Sequence, residues 1–171
     1  MENLSPNLRV MIDSTVLISG VVWPRWSHEI LQQALQGKYR LVLTSYVIDE
    51  ARKKIRVKFS SYLPLFEEFL QEARYEIVDT PSDKQVQQYK DLLRDITDIP
   101  IALAAINANV DYLVSEDKDL TVKDETTEEL RSHVTVLLAG TFLREVMGWE
   151  SEWLDQVRKR TWKDLNGEEE Q

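Results

Sequence analysis

Hydrophobic and polar positions change their period repeatedly along this chain, and each change marks an element. Leu8 to Ile12 (LRVMI) is a short apolar run with branched side chains, the pattern of a strand buried on both faces. After a segment containing Trp23, Pro24 and Trp26, Ser27 is placed to cap a helix through Leu35, which Gly37 ends. Leu41 to Leu43 reads as a second strand, and Thr44 or Ser45 caps a helix carrying Val47, Ile48, Ala51 and Ile55. Leu63, Phe66, Phe69 and Leu70 place an amphipathic helix over Ser61 to Arg74. Glu76 to Val78 reads as a strand, and Pro81 with Ser82 starts a helix to about Arg94.

The second half repeats the alternation. Pro100 to Asn109 (PIALAAINAN) is the most apolar helix, with its proline in the first turn, where a missing N–H costs little. Asp111 to Ser115 and Val134 to Leu138 read as strands, and Gly140 to Met147 as a short helix. Strands that are continuous apolar runs, alternating with helices, argue for an α/β domain with a parallel sheet flanked by helices. No repeat and no low-complexity linker divides it. From Gly148 the pattern differs: Trp149, Trp153 and Val157 fall at helical spacing, with Arg158, Lys159 and Arg160 close by. The expected division is therefore a domain over 1–147 and a Trp-containing helical tail over 148–171. The tail is expected to pack its own tryptophans onto the domain, the alternative being a partner-binding segment, and its last four residues to fray.

Composition narrows the chemistry. With 0 Cys there is no disulfide framework, thiolate metal site or cysteine nucleophile. The 5 Gly, at 20, 37, 140, 148 and 167, are too widely spaced for a dinucleotide fingerprint or a Walker A loop. The 2 His, His28 and His133, are too far apart for HExxH. No apolar run is long enough for a bilayer and no signal peptide opens the chain, so a cytoplasmic protein without a membrane partner is expected. The net charge of -9 is the odd number, because generic nucleic-acid binders are basic.

Where the acids fall changes that picture. Ligands of open α/β sheets bind outside the carboxyl ends of the strands. Asp13 follows the first strand, Glu50 lies in the helix after the second, Asp98 opens the apolar helix, and Asp117 and Asp119 follow the DYLVS strand. Each has an ordinary alternative: Asp13 and Asp98 as helix-end carboxylates, Glu50 as solvated helix surface, Asp117 and Asp119 as turn formers. Together they converge on one edge. Carboxylates packed without compensation repel, and a site of carboxylate oxygens with no His or Cys suits Mg²⁺ or Mn²⁺. Such ions serve phosphodiester hydrolysis.

At these residues the sequence resembles the PIN domain family of metal-dependent ribonucleases, and more narrowly its bacterial branch of toxin components of toxin–antitoxin systems. The resemblance runs from about Arg9 to Met147. It rests on Asp13-Ser14-Thr15-Val16-Leu17-Ile18-Ser19, on Glu50, and on Asp95-Ile96-Thr97-Asp98 ahead of an alanine-rich helix. Val110 to Leu120 (VDYLVSEDKDL) and the closing VTVLLAGTFLREV complete it. The resemblance implies a three-layer α/β/α PIN-like domain with a central parallel sheet of about five strands and a C-terminal helical extension. Asp13, Glu50, Asp98 and Asp117 would be the catalytic metal carboxylates, Asp119 an accessory acid, and Thr15 and Ser115 hydrogen-bonding residues that orient the site.

Two departures stand out. Thr15 replaces the usual Asn, offering a shorter hydroxyl and weaker support. Glu116 stands where Gly is common and adds a negative charge near the metal. For RNA contact, Arg52, Lys53, Lys54, Arg56 and Lys58 form a basic stretch directly after Glu50. Arg52, Lys53 and Arg56, together with Lys118, are candidate phosphate contacts, a solvated helix face being the alternative. Trp23 and Trp26 are expected to pack in the core rather than stack on bases.

The resulting expectation is a Mg²⁺- or Mn²⁺-dependent endoribonuclease preferring single strands, the toxin of a pair with a small antitoxin protein and a possible homodimer. The alternative is a catalytically weak or inactive PIN-fold RNA- or protein-binding module. A phosphatase or DNA nuclease would use similar acids. A phospho-acceptor receiver domain needs adjacent acids after the first strand, and Met11-Ile12-Asp13 lacks them.

Overall fold

In the computed structural model, which describes residues 7–167, the short apolar runs become five strands of one sheet. They are β1 (Arg9–Ile12), β2 (Arg40–Thr44), β3 (Glu76–Val78), β4 (Tyr112–Val114) and β5 (Thr135–Leu137). All pairings are parallel, in the order β3-β2-β1-β4-β5. The register sets Val10 beside both Leu41 and Tyr112. As the central strand, β1 has neighbours on both sides and helices on both faces, which is why Val10, Met11 and Ile12 are fully buried and why its sequence is a continuous apolar run.

The helices between β1 and β3 are α1 (Ser14–Val22), α2 (Trp26–Leu35), α3 (Ser45–Lys58) and α4 (Leu63–Glu72). Those between β3 and β5 are α5 (Asp83–Gln88), α6 (Ile99–Ala108), α7 (Lys118–Thr121) and α8 (Glu128–His133). Within the first group α1 packs on α2 and α3, and α3 on α4; within the second, α6 packs on α5 and α8. The result is the three-layer α/β/α arrangement. The chain steps outward from β1 to β3, then returns to the other side of β1 as β4. The crevice where strand order reverses therefore opens between the carboxyl ends of β1 and β4.

Several local expectations differ from the fold. Ser14–Val22 is a helix that periodicity did not reveal: STVLISGVV is apolar nearly all round, because α1 is buried on most of its surface. Arg25, not Ser27, occupies the N-cap of α2, and no side chain caps it. The helix opened by the Ser82–Gln85 capping box ends at Gln88 rather than near Arg94. Its only buried residue is Val86, and the chain turns to sink Leu92 and Leu93 instead. A 3-10 turn over Ser60–Tyr62 precedes α4, and α8 had no sequence signal.

After β5, α9 (Ala139–Glu145) packs on α2. The remaining chain forms α10 (Ser151–Arg158), which packs on α9 and α2, and α11 (Trp162–Asn166). Leu154 and Val157 are buried, Trp26 Nε1 donates to Leu154 O at 3.0 Å, and Trp162 Nε1 donates to Val22 O at 2.9 Å. Arg160 donates to Pro24 O at 2.7 Å and to Glu29 Oε1 at 2.6 Å. Trp149 packs against the core, whereas Trp153 stays 60% exposed. Trp26 packs against the core too, but Trp23 lies half-exposed, edge-on to Phe59. The expected fraying falls on 168–171, outside the described residues. Among those described, no helix is long and apolar enough to cross a membrane.

Candidate active site

Backbone hydrogen bonds fix the strand ends that carry the acids. Asp13 N–H donates to Val114 O at 3.3 Å, and Ser115 N–H to Leu137 O at 3.0 Å, so the exits of β1, β4 and β5 lie side by side. Asp13 is 4% exposed and caps α1, accepting from Val16 N–H at 3.2 Å. Thr15 Oγ donates to the same Asp13 oxygen at 2.6 Å, and Ser115 Oγ donates to the other. Ser115 Oγ in turn accepts from Asp117 N–H at 2.9 Å, and Thr15 Oγ from Glu116 N–H at 3.0 Å. Two hydroxyls thus tie the β1 exit to the β4 exit. Thr15 bridges both loops through one hydroxyl.

Asp117 caps α7 by accepting from Asp119 N–H at 2.9 Å. Asp98 stands at the N-terminus of α6, and its Oδ2 is buried without a hydrogen-bond partner. The Asp117 carboxylate adjoins Asp98, where the only bond between the two acids is one that a shared proton would make. Asp95, Asp98 and Asp119 can each bring one carboxylate oxygen within 4.8 Å of the others. Arg94 lies 3.7 Å from Asp119 across an exposed pair. Glu50 reaches the region from α3, accepting from Ser14 Oγ at 3.0 Å and from Lys54 Nζ at 3.2 Å.

These groups line a cavity of about 570 Å³. Its walls include Asp13, Thr15, Glu50, Asp98 and Asp117 of the expected set, and also Asp95, Tyr46 and Asp49. Asp119 sits beside Asp98 rather than on the cavity wall. Asp95 was visible as the first acid of the D-x-x-D motif, but its role needed the 3-10 turn over Ile96–Asp98, which it caps through Thr97 N–H at 2.9 Å. Tyr46 carried no sequence signal beyond lying four residues before Glu50.

Electrostatic strain is concentrated here. Burial pushes the Asp13 carboxyl up to about 6, against the pull of its three hydrogen-bond donors, and the Asp117 charge adds to the rise. Partial burial and the adjoining Asp117 push Asp98 up to about 7. Burial, then the Glu50 charge, raises the Tyr46 phenol. By contrast, Asp95 is held below its ordinary value by the Thr97 hydroxyl and N–H. Glu116 does not add to this crowd. Its carboxylate accepts from Ala139 N–H at 2.9 Å, at the N-terminus of α9, and lies outside the acidic cavity.

The basic stretch divides in two. Lys53 and Lys54 line the cavity. Arg52 turns to α4, donating to Glu67 at 2.6 and 3.2 Å and lying 5.6 Å from the Phe66 ring centroid. Arg56 is exposed, and its charge acts on the same Glu67. Lys118 is exposed at the start of α7.

A cluster of half-buried carboxylates with one orphaned oxygen, and no His or Cys, fits a hard divalent cation by its donor chemistry. The same cluster can alternatively hold protons, because burial and the neighbouring Asp117 charge both favour the protonated forms of Asp13 and Asp98.

The sequence profile described as "PIN domain" matches residues 9–119. Among curated proteins, none matches the sequence significantly. The fold is similar to that of PAE2754 from Pyrobaculum aerophilum, with TM-score 0.55, 14% identity, and coverage of 87% of this chain and 95% of that one. It is also similar to VapBC2 from Rickettsia felis, solved bound to a DNA fragment from their promoter. There the TM-score is 0.52, with 17% identity over 76% of this chain and 98% of that one.

Proposed function

The chain belongs to the PIN domain family, whose members are generally nucleases, and from that premise we propose that it is a divalent-metal-dependent endoribonuclease. The observation that carries this reading is the orphaned Asp98 oxygen against Asp117, in one cavity with Asp13 at the strand-order reversal. In this proposal Asp13, Glu50, Asp98 and Asp117 hold Mg²⁺ or Mn²⁺, with Asp119 as an accessory acid. The bound ion supplies activation of a water and offsets the negative charge of the scissile phosphate. The chain's own residues do the rest. Ser115 and Thr15 hold Asp13 in one orientation, as fixed donors to both of its oxygens. Lys54 partly neutralises and positions Glu50, and Lys53 is placed to meet a phosphate of the RNA.

The resemblance to the toxin branch and the fold shared with VapBC2 support a small antitoxin protein as partner. The resemblance alone supports a homodimer.

Two measurements test the reading. Mn²⁺ should raise the melting temperature of the parent at neutral pH, and Asp13→Asn combined with Asp98→Asn should abolish the rise. A parent that Mn²⁺ leaves unmoved would overturn the metal site. Second, the parent with Mn²⁺ should cleave a labelled single-stranded RNA at least tenfold faster than Asp117→Asn, consistent with loss of about 1.4 kcal/mol or more of transition-state stabilisation. Equal cleavage by both proteins, or by neither, would overturn the nuclease assignment; metal binding without cleavage would point to a binding module.

A further inference from the structure

Among the described residues that line the acidic cavity, Tyr46 supplies the one aromatic ring. It lies in the first turn of α3 and is 37% exposed. The ring is not part of the hydrophobic core, although its neighbours Val47 and Ile48 are. An aromatic side chain left out of the core, partly exposed in a cavity otherwise walled mostly by carboxylates, lysines and hydroxyls, is placed to meet a ligand there.

The turn carrying it is fastened in place. Tyr46 N–H donates to Thr80 Oγ at 3.3 Å, and the Ser45 hydroxyl lies 3.3 Å from the same oxygen, so the start of α3 is pinned to the loop after β3. Along α3, Glu50 stands at i+4 from Tyr46 and Lys53 at i+7, which puts ring, carboxylate and ammonium on one helix face. All three line the same cavity. A nucleotide presents three features to a protein: a flat base, a phosphate and, at a cleavage site, a reacting centre that needs metal. This face of α3 offers a partner for each.

We propose that Tyr46 is the platform of a nucleobase subsite, on which one unpaired base of the RNA stacks while Lys53 meets an adjoining phosphate. The subsite rests on the ribonuclease reading of this cavity and makes that reading more specific. A base inside a duplex has both faces covered by its neighbours, so a stacking platform selects single strands and splayed-out bases. Stacking on one aromatic side chain is sequence-tolerant, because every base has a π-face. Tyr46 is thereby a positioning residue that sets where the strand lies relative to Asp13 and Asp98. The competing role is local: the Tyr46 hydroxyl faces Glu50 and would orient that carboxylate with no base involved.

Phenylalanine separates the two roles, since it keeps the ring and deletes the hydroxyl. Binding of a labelled single-stranded RNA is measured by fluorescence anisotropy with Ca²⁺, the oligonucleotide being checked for integrity afterwards. The proteins compared are the parent, Tyr46→Phe and Tyr46→Ala, with equal melting temperatures as the control for folding. Base stacking predicts that Tyr46→Ala weakens binding about five- to hundredfold, while Tyr46→Phe stays within about twofold. A series of oligonucleotides, each with one abasic site, should contain a position that weakens the parent by that factor and leaves Tyr46→Ala unaffected. Tyr46→Phe as damaging as Tyr46→Ala, or no such abasic position, would overturn the subsite. RNA binding by the parent that Tyr46→Ala leaves unchanged would remove the subsite and keep the RNA reading. A parent that binds single-stranded RNA with neither Ca²⁺ nor Mn²⁺ would remove both.

Discussion

Thr15 shows how much one hydroxyl can hold. Its Oγ donates to Asp13 and accepts from Glu116 N–H, so a single atom joins the β1 exit to the loop after β4. Sequence comparison by residue type could only rank it below Asn; the bridging needed both loops in place. Thr15→Val keeps the shape and removes both bonds, one of them to a carboxylate. Urea unfolding should show a loss of about 1–3 kcal/mol, with Thr15→Ser losing less than half of that. Equal stability of Thr15→Val and the parent would mean the hydroxyl is spectator to the site. The same limit explains Glu116: its position in the motif was readable, but the direction of its side chain, towards Ala139 N–H, was not.

At the scale of elements, β1, β2 and β4 were legible because parallel strands buried on both faces are written as uninterrupted apolar runs. The edge strand β3 is no such run, with Ile77 exposed, yet it coincides with Glu76–Val78. Burial also hid α1. A helix surrounded on most sides has no polar face to give it a period, so STVLISGVV carried no helical signature. Its packing on α2 depends on Gly20, where a Cβ would come within 2.5 Å of Leu31 Cδ1 and 2.9 Å of the Ser27 carbonyl oxygen. Leu31 could shift, but the carbonyl belongs to the α2 backbone. Gly20→Ala should therefore force the two helices apart and cost about 1–3 kcal/mol, seen as a lower melting temperature. Gly37→Ala, at φ +73 with nothing within 4 Å, should cost only about 1 kcal/mol of backbone strain. A Gly20→Ala protein as stable as the parent would show that α1 and α2 have slack at their contact.

At the scale of the whole molecule the acidic balance acquires a pH dependence. Asp13 and Asp98 ionise at about 6 and about 7 in the folded chain, above their ordinary 3.8. Between those values the folded chain keeps protons that the unfolded chain has released, so stability falls as pH rises from 3.8 through about 7. Glu67, Glu76, Asp95, Asp124 and Asp164 are held low by their partners and act oppositely: their contribution is lost only as pH falls below the ordinary carboxylate range. In chelator, the melting temperature should therefore be higher near about pH 5 than near about pH 7.5. Mn²⁺ competes with protons for the same oxygens, so its stabilising shift should grow over that interval. A flat melting temperature between the two pH values in chelator would show that the carboxylates are solvated and unstrained.

The sequence by itself determined the layered α/β architecture and the residues at the strand ends, because burial on two faces and helix capping are local properties that leave local patterns. It also fixed the absence of thiol and HExxH chemistry. Only the tertiary structure decided which acids crowd and which do not. Asp95 joins Asp98 and Asp119, Glu116 turns to a helix end, and Arg52 is spent on Glu67 while Lys53 faces the cavity. Those outcomes depend on side-chain direction and on the return of β4 to the far side of β1, which no local pattern encodes. Net charge describes the whole surface; the field at one cavity is set by which of those charges the fold brings within a few ångströms of each other.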